Sequence, residues 1–227
     1  MKLPFLIYLS VFVILVAVDI SLKLFRNSEE SYDQQKVELK GRYERAVQTA
    51  GAPTVRKKVA LAGIQDLRIS PGFLLVHDEH LGDSIVVEVP EPAAANLVLE
   101  RDGEQLTVDF DRAVRLNAPV RVRANLNNTG SSTLRVELQK AYAGRTRFQP
   151  DFTTKSSLTI PKLTLIGVPS QAVSIDVETL SLLEAEYLKF LRGRAGTVEL
   201  EARMGVAIDG TLSDRLAYGD FKLLSPD

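Results

Sequence analysis

The chain has 227 residues, 45% hydrophobic and 25% charged, with no cysteine and no tryptophan. That composition suits a globular protein and excludes a disordered or collagen-like one, while the missing cysteines exclude disulfides, thiolate metal sites and cysteine nucleophiles. With 28 basic and 29 acidic side chains the net charge is −1, so there is no global basic field for nucleic acid.

The charge is segregated along the chain. Residues 20–60 hold nine basic and five acidic side chains, a net of +4. Residues 61–112 hold three basic and eleven acidic ones, a net of −8, and residues 113–227 hold fifteen and twelve, a net of +3. Strand edges and loops solvated by either charge are the ordinary reading of such a pattern.

Leu3 to Val18 is a run of sixteen residues without a charge. As a helix it spans about 24 Å, and continued to Phe25 about 34 Å, against a bilayer core of about 30 Å. Asp19 lies one turn before Lys23, and Lys23 and Arg26 can reach the headgroups. A cleaved signal peptide would need small residues before the cut, whereas Val16-Ala17-Val18-Asp19 places valines there. The expectation is an uncleaved transmembrane signal anchor over residues 1–26, with the carboxyl-terminal domain on the extracytoplasmic (periplasmic) side.

Residues 27–58 read as a stalk or linker, partly helical. Asn27-Ser28-Glu29-Glu30-Ser31 resembles a helix start, Leu39, Tyr43, Val47 and Ala50 fall near helical spacing, and Gly51-Ala52-Pro53 ends the element. Arg56-Lys57-Lys58 is too short a basic run for a nucleic-acid site.

From residue 59 to 227 the period becomes that of strands. Runs occur at Leu67–Ser70, Ser84–Val89, Leu97–Glu100, Gln105–Phe110, Val120–Ala124, Leu134–Leu138, Ser157–Pro161, Val173–Val177, Thr197–Glu201 and Leu216–Tyr218. Asp102-Gly103 marks a hairpin turn, and a short helical turn is expected only within Leu182–Arg192. The domain is therefore expected to be all-β. In its second half the runs recur every 15–25 residues, wider than the turns of a sandwich, which points to stacked coils with glycines at the corners.

The segments Gly63–Ile69, Ser84–Val89 and Gly103–Val108 resemble the opening of the putative auto-transporter adhesin head GIN domain family. Leu180–Leu188, Gly193–Leu200 and Leu216–Gly219 are similar to its later coils and closing tyrosine-glycine, so the resemblance covers about residues 60–220. The family's repeated Gly-Ser steps are absent. The resemblance implies a β-solenoid acting as a bacterial cell-envelope scaffold, with no catalytic residues to carry over.

Chemistry-bearing motifs are sparse. His77-Asp78-Glu79-His80 holds both histidines and reads as a polar loop tip between strands; a shared metal is the sharper alternative. No nucleophile elbow, phosphate-binding glycine loop or calcium-binding repeat occurs, so no catalytic, cofactor or metal residue is assigned. Arg121, Arg123, Arg135, Arg145 and Arg147, with Lys140, form a basic belt. It reads either as a solvated face against residues 61–112 or as a site for an anionic glycan, lipid headgroup or protein. The expected function is a membrane-anchored, adhesin-like scaffold binding an envelope protein or polysaccharide, without nucleic acid. The alternative is an envelope-polymer-processing enzyme using the acidic face of residues 61–112.

Overall fold

A computed structural model describes residues 47–49, 51–139, 146–167, 169–184, 190–201 and 215–224. The expected anchor and most of the expected stalk lie outside these residues, and none of the described helices is long and apolar enough to cross a membrane. The chain divides into units 1–45 and 46–227, and the described residues belong to the second.

The strands in chain order are β1 (Val47–Gln48), β2 (Thr54–Ala60), β3 (Asp66–Ile69), β4 (Phe73–His77) and β5 (Ser84–Pro90). A short helix α1 (Glu91–Ala94) precedes β6 (Leu97–Asp102), β7 (Gln105–Phe110), β8 (Val114–Arg115) and β9 (Val120–Ala124). After a 3-10 turn at Leu126–Thr129 come β10 (Thr133–Leu138), β11 (Asp151–Thr154), β12 (Lys162–Ile166), β13 (Val173–Leu183), β14 (Leu191–Glu201) and β15 (Leu216–Leu224). The all-β expectation holds.

Two large sheets enclose one apolar core. The eight-stranded sheet has the order β15-β14-β13-β12-β10-β3-β7-β6, and the five-stranded sheet β11-β4-β9-β5-β2. In the larger sheet every pairing from β7 to β15 is parallel, and only the β6–β7 hairpin is antiparallel. Strict alternation drives the layering, because side chains at successive positions of a strand point to opposite faces. Ile85, Val87 and Val89 of β5 and Leu106, Val108 and Phe110 of β7 are buried, and the residues between them are not. Phe73 and Phe110 stack with ring centroids 4.6 Å apart.

Parallel register aligns like residues in columns. Leu134, Leu163, Leu180, Val198 and Phe221 follow one another across β10, β12, β13, β14 and β15. Midway along β13 the buried set changes from Val173, Ile175 and Val177 to Leu180 and Leu182. The N–H groups of Glu178 and Thr179 both donate to the Pro161 carbonyl at 3.0 Å, a bulge that turns the strand. Beside that bend in β14 lies Gly196, where an added Cβ would meet the Glu178 carbonyl at 2.7 Å. Close backbone approach therefore requires glycine there.

Several local expectations change. Thr54–Ala60, whose first five residues lie in the expected stalk, is a full strand paired antiparallel with β5. Its alternation was masked by Arg56, Lys57 and Lys58, which an edge strand tolerates because much of it faces water. Ser157–Pro161 is not a strand; it contributes a single bridge, Leu158 to Ile175. β4, β11 and β12 were not anticipated, being short runs whose partners lie far along the chain. The ends of Leu182–Arg192, expected to form a helical turn, belong to β13 and β14, and residues 185–189 lie outside the described set. The hairpin turn falls on Gly103-Glu104, one residue later than expected, since Asp102 pairs with Gln105.

Candidate functional site

Two polar constellations stand out. One is a groove across the outer face of the eight-stranded sheet, and the other a buried node behind the five-stranded sheet.

The groove follows from register. Outward positions of adjacent strands align as Asp102, Gln105, Asp66, Arg135, Thr164, Ser181, Glu199 and Lys222, each paired with the next. A second line runs through Thr133, Lys162, Thr179, Thr197 and Asp220. Strands lie about 4.8 Å apart, so these lines present hydroxyl, amide and charged groups at regular intervals. The open groove between them has a volume of about 670 Å³. Its acidic end is Asp66, Asp102 and Glu104, and its basic middle is Arg135 and Lys162.

Several groove side chains are held by neighbours. Thr133 Oγ1 donates to Gln65 Oε1 at 3.2 Å, and Ser181 Oγ to Glu199 Oε2 at 2.9 Å. Arg68 reaches Asp66 Oδ2 at 3.4 Å, whereas the buried Asp66 Oδ1 has no hydrogen-bond partner. Lys222 lies 3.6 Å from Glu199. The result is an open polar groove carrying both signs of charge, suited to a hydrophilic ligand.

The node corrects the loop-tip reading of His77-Asp78-Glu79-His80 in its first half only, since Glu79 and His80 do lie exposed in the turn after β4. His77 ends β4 and is 0% exposed, and Asp78 is 2% exposed. Asp78 Oδ2 accepts from Arg123 and from Lys155, each at 2.9 Å, and Oδ1 accepts from the His80 N–H at 3.2 Å. The Lys155 and Arg123 hydrogen bonds outweigh burial and hold the Asp78 carboxyl well below the usual carboxylate range. His77 Nδ1 accepts the Leu126 N–H at 3.1 Å, which places the proton of the neutral ring on Nε2. Desolvation lowers its pKa despite nearby carbonyls and the charges of Glu79 and Asp78.

Asn125 and Asn127 complete the node. Asn125 Nδ2 reaches the Glu79 and Leu81 carbonyls at 3.0 and 3.3 Å, and its side chain accepts from the Asn127 N–H. Asn127 Oδ1 accepts the Thr159 N–H at 2.8 Å. Asn127-Asn128-Thr129-Gly130 has the composition of a turn, and nothing local in it announces this role. Among the described residues no cluster of three or more metal-ligating side chains forms. The arrangement ties β4 to β9 and to the segments around Leu126 and Lys155.

The expected arginine belt does not form one surface. Arg121 and Arg123 share the outer face of the five-stranded sheet, with Arg123 also 3.8 Å from Glu88. Arg135 lies on the other sheet, between Asp66 and Thr164. Arg147 stacks on Phe148 at 4.7 Å and donates to the Asn117 carbonyl. Arg145 and Lys140 lie outside the described residues. β9 and β10 belong to different sheets, so arginines close in sequence separate across the core. The acidic segment 61–112 divides likewise: Asp66, Asp102 and Glu104 enter the groove, Asp78 is buried, and Glu88 pairs with Arg56 at 3.3 Å.

No family model matches the chain, and no curated protein matches it. Among solved structures, it is similar to a putative adhesin from Parabacteroides merdae, with 12% identity, a TM-score of 0.41, and coverage of 79% of this chain and 80% of that one. A putative adhesin from Bacteroides fragilis is 8% identical with a TM-score of 0.40, over 79% of this chain and 98% of that one. A putative lipid binding protein from Parabacteroides distasonis is 9% identical with a TM-score of 0.41, over 80% of this chain and 78% of that one. Likenesses of this size carry no argument about activity or partner.

Proposed function

We propose that the chain is a non-catalytic, adhesin-like binding module of the cell envelope. In this reading residues 1–26 anchor it in a membrane, the β domain lies on the extracytoplasmic side, and its partner is an extended, hydroxyl-rich polymer. The parallel strands are read as coils of a β-solenoid, since partners such as Leu163 and Leu180, or Leu180 and Val198, are 17 and 18 residues apart.

The observation that supports this function is the continuous outward line from Asp102 to Lys222. A polysaccharide crossing the strands would meet a donor or acceptor at every step, with Lys162 and the half-exposed Arg135, which also bonds Glu137 at 3.3 Å, facing anionic substituents. Glu199 is engaged by Ser181 and Lys222, and Asp66 Oδ2 by Arg68, as suits positioned recognition groups. The second reading, a polymer-processing enzyme, rests on Asp66 Oδ1, buried without a hydrogen-bond partner beside the acidic end.

The test is co-sedimentation of the full chain with insoluble neutral and anionic polysaccharides. Arg135→Glu with Lys162→Glu should lower retention of the anionic polymer at least tenfold, while Arg121→Glu leaves it unchanged. Equal retention by all variants would remove the groove from the proposal. Soluble fragments released by the wild type, and not by Asp66→Asn, would install the enzyme reading. Anchoring and orientation are tested by the mass of the membrane-extracted protein and by export-dependent reporters fused at Asp227; a mature start near residue 20 or a reporter active only in the cytoplasm overturns them.

A further inference from the structure

Three of the four outer edges of the two large sheets are blunted. β2 carries Arg56, Lys57 and Lys58, and Lys57 occupies a core-facing position opposite buried Val87. β11 is four residues long and is covered by residues 170–172: Thr154 N–H donates to the Ala172 carbonyl, and Ser170 and Gln171 bond Asp151. β6 ends in Glu100-Arg101-Asp102, and the Arg101 guanidinium reaches the Ala60 and Ala62 carbonyls. Charges, short strands and covering segments are ways to prevent a sheet edge from pairing with another chain.

The fourth edge, β15, is nine residues long and differs. Tyr218, Phe221 and Leu223 are 44%, 39% and 59% exposed, and they are the only exposed large hydrophobic side chains among the described residues. Their partners on β14 are Ala195, Val198 and Leu200, which are 5%, 0% and 3% exposed. The apolar columns of the core therefore continue onto the last strand, where no described residue covers them.

We propose that β15 pairs with β15 of a second copy of this chain, antiparallel, about a two-fold axis at Phe221. Charge selects the register. An axis at Phe221 sets Asp220 opposite Lys222 of the second copy, twice, whereas an axis at Asp220 or Lys222 would oppose like charges. The same register puts Phe221 against its own copy and Leu223 opposite Gly219, which has no side chain to crowd it. Both apolar column ends are covered by one another, and the contact closes at two copies because each uses the same patch.

The chain has no cysteine, so Phe221→Cys supplies a single thiol on the proposed axis. Directly opposed residues of an antiparallel pair have Cα atoms about 4.5–5.5 Å apart, within reach of a disulfide. Oxidation of the full chain in detergent should give a covalent dimer. With the native phenylalanine kept, Asp220→Lys and Lys222→Asp should each lower the dimer fraction at least tenfold in sedimentation. The doubly reversed chain should restore it, and mixing the two single variants should give mixed dimers. Far-ultraviolet circular dichroism verifies that each variant is folded. A monomeric wild type, a dimer indifferent to both single reversals, or open-ended polymers in place of dimers would overturn the proposal.

Discussion

In the five-stranded sheet, β4 and β9 are joined through a buried carboxylate, with Asp78 accepting from Arg123 on β9 and from Lys155. In the eight-stranded sheet, β10, β12, β13 and β14 are aligned by apolar columns such as Leu134, Leu163, Leu180 and Val198. The difference follows from topology. The five-stranded sheet mixes parallel and antiparallel pairs, so its segments meet at irregular places where polar groups must be satisfied individually. The ladder repeats one geometry, and alternation alone keeps its register.

The most severe way to break this contrast is in the ladder. Leu180 is 0% exposed in mid-column, and Leu180→Asp would bury an unpaired carboxylate costing several kcal/mol, comparable with the roughly 5–15 kcal/mol stability of a domain. Loss of the cooperative thermal transition and of the β-type circular dichroism spectrum is expected; an intact transition would show that the column is not continuous.

Asp78→Ala strikes the other sheet. It leaves Arg123 with Glu88 alone, 3.8 Å away, and takes the carboxylate from Lys155, but their side chains are 29% and 59% exposed, so water takes over much of the lost interaction. The expected loss is about 2 kcal/mol, measured as a lower urea midpoint at unchanged slope. A loss as large as that of Leu180→Asp would make the node, not the columns, the main source of cohesion.

Gly196→Ala sharpens the role of the corner in β14. The added methyl meets the Glu178 carbonyl at 2.7 Å, and a cost of about 1–2 kcal/mol in thermal or urea unfolding is expected. Gly82→Ala, where no heavy atom lies within 4 Å of the added carbon, serves as the neutral control.

The smallest effect is a pH dependence confined to the node. Buried His77 has a lowered pKa, so below about pH 6.5 the unfolded chain binds a proton that the folded one does not. Stability therefore rises with pH through that range and falls on acidification. The depressed Asp78 pKa adds a loss of the same sign below about pH 4. Urea titrations at pH 7 and 5.5 should show the decline, and His77→Gln should be less stable at both pH values with a smaller difference between them. An equal difference in the variant would assign the dependence to other groups.

Strand period was legible where alternation was clean, as in Ser84–Val89 and Gln105–Phe110, because the pleat is local. It was illegible in Thr54–Ala60, where lysines and arginine break the pattern on an edge. It misled at Ser157–Pro161, where Leu158 bonds Ser174 and Asp176 of β13 and only Pro161 reaches its bend. Of the groove, Arg135 alone was singled out, since Asp66, Lys162, Ser181 and Glu199 are scattered across the chain and meet only through parallel register.

The sequence by itself determined an all-β domain, the β6–β7 hairpin and the absence of cysteine chemistry, since each follows from residue type or from neighbours within a few positions. Tertiary structure alone decided that His77 and Asp78 are interior and that Arg123 and Arg135 lie on opposite sheets. It also decided that the apolar columns continue onto β15, where no described residue covers them. The physical reason is range. Asp78 meets Arg123 and Lys155 across 45 and 77 residues, and no local period can announce which distant charge will make a buried carboxylate tolerable.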